Sequence, residues 1–369
     1  MKYVDEFRSP ELVEHYRQQL SQRVTRDWTL MEVCGSQTNT IVKYGLDRLL
    51  PNELHLVHGP GCPVCVTPAK VLDQAIACAA LPNVIVCSFG DMLRVPGSKN
   101  SLLDARARGG DVRNVYSPMD ALQIARNNPS KEIVFLAIGF ETTAPLNAVA
   151  IEQASKERLQ NYSVLVSQVT VPPAMLAILS NPNRKIDAFL AAGHVCTVMG
   201  ENEYRAIAEQ FKVPIVITGF EPVDMMMGIN TSVDMLESGS YGIKNCYTRS
   251  VKKQGNSAAQ TIMNKVFRLA DKEWRGIGEV PMSGLVLREK YKGFDAEEKF
   301  PLSKFGFEML ASDNSCISGE MLQGLKKPKQ CPHFGKRCHP DNPLGATMVS
   351  SEGACAAYYQ YRYSVDLID

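Results

Sequence analysis

Short apolar runs that do not alternate with polar residues recur as far as Thr218, and they constrain this chain more than any other feature. They are Leu30 to Val33, Leu54 to His58, Val84 to Phe89, Val112 to Tyr116, Ile133 to Ile138, Val164 to Val169, Ile186 to Leu190 and Pro214 to Thr218. Strands of this kind are covered on both faces, as in parallel sheets flanked by helices. Helical segments lie between them, so the pattern predicts an α/β fold. Several runs end in a glycine or polar turn before a helix, as in Val33-Cys34-Gly35, Gly139-Phe140-Glu141 and Gly219-Phe220-Glu221. Ligands of open parallel sheets sit at such carboxyl edges, so chemistry is expected there. The recurrence of Gly-Phe-Glu fits either two similar α/β halves or two unrelated strand exits.

At 369 residues the chain exceeds one ordinary hydrophobic core. It divides into an N-terminal helical segment at 1–28, amphipathic from Pro10 to about Val24 and expected to pack on the C-terminal region. Two consecutive α/β domains of related topology follow at 29–145 and 146–235, then a mostly irregular and helical region at 236–369. Beyond Asp224 come a Met-rich helix, Met225 to Gly239, a helix near Ser257 to Asp271 and a strand-like segment, Ser283 to Arg288. From Ser312 onwards periodicity fades while Cys, Pro and Gly crowd together. A segment without its own apolar core needs a metal or another staple.

Lys and Arg number 40 against 39 Asp and Glu, so no broad field favours nucleic acid or an anionic membrane. The charged start, Met1-Lys2-Tyr3-Val4-Asp5-Glu6, is unlike a signal peptide, and no apolar run approaches the roughly 20 residues of a membrane span. A cytoplasmic protein is expected. There, eleven cysteines point to metal binding or thiol redox chemistry, not to a disulfide framework.

Cys316, Cys331, Cys338 and Cys355 lie among Pro332, Gly335, Pro340, Pro343, Gly345 and Gly353. Four thiolates on flexible backbone suit zinc or a 4Fe-4S cluster. Wide spacing without a C-x2-C knuckle favours the cluster, though zinc or four unrelated thiols stay open. Cys62 and Cys65 do form a C-x2-C, in a Gly-Pro turn after a strand. That spacing fits a two-electron dithiol at a helix start, and half of a zinc site is the rival reading. Cys34 ends a strand, where a thiol is expected to be exposed and where soft sulfur suits low-spin iron, although a lone cysteine is more often inert. Cys78, Cys87, Cys196 and Cys246 read as packing. Asp91, Glu141, His194, Glu221 and Asp224 stand at further strand exits, as caps and turn formers singly or as a lined cleft together.

These segments together resemble the hydrogenase maturation protein HypD family. The likeness rests on Met31-Glu32-Val33-Cys34-Gly35, Gly59-Pro60-Gly61-Cys62-Pro63-Val64-Cys65, Gly139-Phe140-Glu141-Thr142-Thr143, Gly219-Phe220-Glu221-Pro222, Cys331-Pro332-His333-Phe334-Gly335 and the stretch from Gly345 to Cys355. It spans residue 1 to about 362. The resemblance implies a protein that is monomeric on its own, with two α/β domains and a third region whose Cys316, Cys331, Cys338 and Cys355 bind a 4Fe-4S cluster. It further implies that Cys34 holds a transient iron while cyanide and carbon monoxide are added to give Fe(CN)2CO. A second thiolate would come from the small chaperone HypC, and HypE would donate cyanide. Electrons would pass from the cluster through Cys62 and Cys65, with Asp91, Glu141 and His194 as further candidate catalytic groups. Many members of that family carry histidines where this chain has Gln37 and Asn39. A different class fits the thiols as well: an iron-sulfur thiol-disulfide oxidoreductase of the ferredoxin-thioredoxin reductase type, which gives Cys34 no task.

Overall fold

The computed structural model describes residues 2, 4–301 and 315–362. Each predicted apolar run forms a strand: β1 (Trp28–Glu32), β2 (Leu54–His58), β3 (Val84–Ser88), β4 (Asp111–Asn114), β5 (Glu132–Gly139), β6 (Tyr162–Gln168), β7 (Ala188–Ala192) and β8 (Pro214–Thr218). A ninth, β9 (Gly242–Asn245), adds an edge, and β10 (Phe267–Trp274) pairs antiparallel with β11 (Gly278–Leu287). The α/β class with two parallel sheets and an irregular C-terminal region is therefore as expected.

The chain does not fill these sheets one after the other. One sheet has the order β2-β1-β7-β8-β9 and the other β4-β3-β5-β6, all parallel. The second sheet is inserted between the second and third strands of the first. Pairing of β5 with β6, from Ile133 opposite Tyr162 to Gly139 opposite Gln168, crosses the expected boundary at 145. The topologies are nonetheless related. Each sheet runs second strand, first strand, third, fourth, with the order reversing between first and third. The repeated Gly-Phe-Glu does not mark this relation, because it follows the third strand of one sheet and the fourth of the other.

Buried residues explain why the strands read as continuous apolar runs. Every residue of β3, β6, β7 and β8 is buried, and for β6 part of the cover comes from β11 of the hairpin. The N-terminal helix Pro10–Arg23 starts at Ser9, whose Oγ accepts from Leu12 N at 3.2 Å, and has Pro10 at its first turn. It packs on helix Pro222–Glu237, not on the cysteine-rich region as expected. Apolar burial makes that contact, with Leu20, Val13 and Tyr16 in one core with Met226, Ile229 and Val233, and exposed pairs flank it, Arg23 with Asp234 at 2.7 Å and Arg8 with Glu221 at 2.8 Å.

The stretch expected to be helical from Ser257 to Asp271 changes form midway, with helix to Val266 and strand from Phe267. Pairing with β11 overrides helical periodicity there, burying Phe267 and Trp274 at the ends of β10. This hairpin ties the sheets together. Thr170 N donates to Ser283 O at 2.8 Å, Phe140 stacks on Trp274 and Arg275 N donates to Val66 O at 2.8 Å.

Leu190 lies in β7, a central strand of the first sheet, and is fully buried. Leu190→Ala should cost about 2–5 kcal/mol of stability, read as a lower urea midpoint with an unchanged slope.

Candidate functional site

Cys34 follows β1 and caps helix Gly35–Lys43, while His194 follows β7 and lies in the first turn of helix Gly193–Met199. These are the neighbouring first and third strands, between which the strand order reverses, the place where open parallel sheets bind ligands. The Cys34 sulfur lies 3.7 Å from His194 Nδ1. Cys34 is not exposed as the sequence suggested but 2% accessible. Helix Gly35–Lys43 folds back over the strand end, and the start of the next strand exit closes on it.

That closure is backbone on backbone. Gly35 N donates to Gly61 O at 2.9 Å, and a Cβ on Gly61 would stand 2.2 Å from Cys34 N. Gly61 therefore has no substitute here, and it leads directly into Cys62. Cys62 and Cys65 form a disulfide with Cα atoms 5.2 Å apart. Both are buried, at the start of the short helix Pro63–Val66.

Burial pushes the Cys34 thiol up to about 12, with Glu32 and Glu352 adding to the effect and the helix-start N–H groups opposing it. His194 is pushed down to about 4 by burial, so its imidazole is neutral at pH 7. A neutral imidazole beside a protonated thiol is a pair of soft donors that a metal engages by displacing one proton.

Beneath them runs a network the sequence reading missed. Fully buried Glu32 accepts from Cys34 N at 2.8 Å and from Thr38 Oγ1, and its other contact is His58 Nδ1 at 2.7 Å. His58 Nε2 in turn lies 3.2 Å from Tyr358 OH, on helix Ala354–Arg362. The only signal for it was Glu and His at the ends of adjacent strands. Gln37 does not face Cys34; its amide donates to Thr218 Oγ1 at 2.6 Å and Ala191 O at 3.2 Å. Asn39 lines a groove of about 360 Å3 with Ser36, Phe220, Glu221 and Glu352, at the start of the helix that Cys34 caps.

The C-terminal thiols gather close by. Cys338 and Cys355 are buried in one apolar cluster with Met321 and Met348, against Phe334 and Tyr359. Burial raises the thiols of both, and Cys316 and Cys331 add to the effect as near neighbours. A Cβ on Gly345 would stand 2.4 Å from the Cys316 sulfur, so glycine there leaves room for that thiol. Among the described residues no group of three or more His, Cys, Asp or Glu is arranged to hold a metal ion. Four thiols in this one C-terminal region are nevertheless the donor set that a 4Fe-4S cluster takes. Thr347 joins this region to the disulfide: it donates to the Cys355 sulfur at 3.3 Å and lines the small cavity that also touches Cys62 and Cys65.

Other candidates fall elsewhere. Asp91 is partly exposed, 3.6 Å from Arg94. Glu141 is fully buried, with Oε1 accepting from Val171 N at 2.9 Å and Oε2 without a partner. Both stand beyond the strands flanking the order reversal of the second sheet, β3 and β5. Glu221 and Asp224 form a capping box, and Asp224 is held by Arg249 at 2.6 Å. Cys78, Cys87 and Cys196 are buried among apolar residues, as expected, and Cys246 is partly buried.

Two parallel sheets, one of whose edges brings a buried thiol beside a disulfide, define a cysteine-rich α/β protein. No helix among the described residues is long and apolar enough to cross a membrane. Residues 10–362 match the HypD family, described as "Hydrogenase formation hypA family". The chain is 45% identical to hydrogenase maturation factor HypD of Escherichia coli K12 and 44% identical to that of Rhodobacter capsulatus, each alignment covering 98% of both chains. It is 46% identical to hydrogenase maturation factor HypD2 of Bradyrhizobium diazoefficiens, over 98% of this chain and 97% of that one. The chain belongs to the HypD family of hydrogenase maturation factors.

Burial pushes Glu141 up to about 8, so it stays protonated in the folded protein at neutral pH, while in the unfolded chain it ionises near 4.5. Its contribution is intact below pH 4.5 and is lost as pH rises towards 8. Glu141→Gln, which cannot ionise, should therefore melt roughly 2–4 °C above the parent at pH 8.5. Thermal scans should show that gap closing as pH falls towards 4.5.

Proposed function

We propose that this protein is the scaffold on which the Fe(CN)2CO group of a nickel-iron hydrogenase is assembled. The observation that carries this reading is the position of Cys34, beside a neutral imidazole and one backbone contact from the Cys62–Cys65 disulfide. Iron is the cargo. It would bind the Cys34 sulfur as the thiol proton leaves, a step the buried site permits only when a cation replaces that proton. His194 can hold the thiol in orientation or add a second donor. The groove at the start of helix Gly35–Lys43 gives a partner access to this edge, which suits a second thiolate from the chaperone HypC and docking of HypE as cyanide donor.

Cys316, Cys331, Cys338 and Cys355 would hold a 4Fe-4S cluster, which supplies single electrons when bound. Cys62 and Cys65 are the chain's own redox couple: the disulfide takes up two electrons and two protons to become a dithiol. The Thr347 contact supports electron delivery to that couple from the four-cysteine region. We place the protein in the cytoplasm, where reduction keeps the remaining thiols free.

The disulfide also favours a second reading, a thiol-disulfide oxidoreductase of the ferredoxin-thioredoxin reductase type. Infrared spectroscopy of the anaerobically purified protein with its partners separates the two. Bands of iron-bound cyanide and carbon monoxide are expected, and Cys34→Ala should remove them; bands that persist in that variant exclude Cys34 as the iron ligand. Cys62→Ser should retain the cluster yet lower hydrogenase maturation at least tenfold. Full maturation by that variant would rule out a working dithiol.

A further inference from the structure

Gly219-Phe220-Glu221 repeats Gly139-Phe140-Glu141, yet its phenylalanine has a different setting. Phe140 is 3% accessible and stacks on Trp274 within the core. Phe220 is half-buried just beyond β8, and its ring lies 5.1 Å from the His194 ring, centroid to centroid. On another side it meets Tyr247, edge to face at 5.9 Å. Tyr247 has little room to give way. A Cβ on Gly193 would stand 2.4 Å from its ring and a Cβ on Gly219 2.8 Å, and the Arg249 guanidinium lies over it at 4.5 Å.

The groove at the start of helix Gly35–Lys43 approaches the same place from outside. Gly35, the residue after Cys34, lines it with Ser36, Asn39, Thr40 and Phe220, whereas neither Cys34 nor His194 does. The Cys34 sulfur is packed 3.7 Å from the His194 imidazole, and that imidazole is what the Phe220 ring rests on. Phe220 is thus the side chain shared by the groove and the inner pair. Its main chain is tied, because Thr40 Oγ1, on the helix that Cys34 caps, donates to Phe220 O at 2.5 Å. The ring is left to move, and a change of rotamer does not disturb that bond. On the other flank of Cys34, the cavity lined by Gly61 and Cys62 measures about 10 Å3, at the limit for a single water.

We propose that the Phe220 ring is the gate of the Cys34 site, and that a metal ion passing from the groove to the sulfur does so by displacing this ring from His194. The inference rests on the reading of Cys34 as the iron-binding thiol and adds the route by which the cargo arrives. An apolar gate suits that position, since a polar side chain there would compete with sulfur for the incoming cation.

The test is the rate at which iodoacetamide alkylates Cys34 in the folded, full-length protein, followed by mass spectrometry of the tryptic peptide from Asp27 to Lys43, which holds no other cysteine. Cys87, fully buried in the other sheet, is the reference within the same sample. Phe220→Ala should raise the Cys34 rate roughly tenfold or more and leave the Cys87 rate unchanged, and Phe220→Leu should give a smaller rise. An unchanged Cys34 rate in Phe220→Ala overturns the proposal, because access then lies elsewhere. Equal rises at Cys34 and Cys87 overturn it too, because the ring then acts through overall stability. If Phe220→Ala does not fold, Phe220→Leu decides: a rise confined to Cys34 supports the gate, and no rise overturns it. Alkylation needs no iron, so its outcome is independent of the infrared bands that test the cargo reading.

Discussion

The contact between Gly61 and Cys34 organises the rest of the site. Two neighbouring parallel strands, β1 and β2, end at the same level, and their exits meet backbone to backbone because Gly61 has no side chain. One exit carries the buried Cys34 thiol and the other the disulfide, so the two share a wall. Glu32 and His58, the last residues of the same two strands, lock the exits together from below. The cost of burying Glu32 is met by three contacts, two accepted hydrogen bonds and the His58 ring.

From His58 the network continues to Tyr358, so the helix carrying Cys355 is anchored to the floor of the Cys34 site. The C-terminal region lacks an extensive apolar core of its own, and the large sheets supply one. Gly324 fits against Met31, Ile186 and Val57, and Leu322 joins the core of the first sheet. Thr347 lies between Cys355 and the small cavity that touches Cys62 and Cys65, so one C-terminal thiol and the disulfide share a neighbourhood beside the first sheet's edge.

Much of this was legible in the residues. Non-alternating apolar runs are a direct consequence of burial on both strand faces, so the eight predicted strands appear where the pattern puts them, to within a few residues. The Cys-x2-Cys turn and the four C-terminal cysteines were visible because sulfur at such spacing has few other uses. The insertion of one sheet into the other was not legible, because strand order depends on which edges meet in space and each βαβ unit looks alike locally. His194 was legible as a strand-exit residue but not as the neighbour of Cys34, since that pairing exists only once β7 returns to lie beside β1. The burial of Cys34 was hidden for the same reason. A strand end is open to solvent unless another exit covers it, and the cover here comes from Gly61, 27 residues further along the chain.

Burial gives the two kinds of sulfur different work. An exposed thiolate at a helix start would be a resting nucleophile, open to oxidation and to wrong metals. Cys34 has the helix start but not the exposure, and with Glu32 and Glu352 nearby its neutral form is favoured until a cation arrives. Such a thiol is inert alone and would become a strong donor only together with a metal, which agrees with the cargo role proposed for it. The Cys62–Cys65 pair is equally buried, yet as a disulfide it carries no charge to desolvate. A neutral dithiol would differ from it by electrons and protons taken up together, so the redox role proposed for the pair would put no net charge on the low-dielectric wall it shares with Cys34.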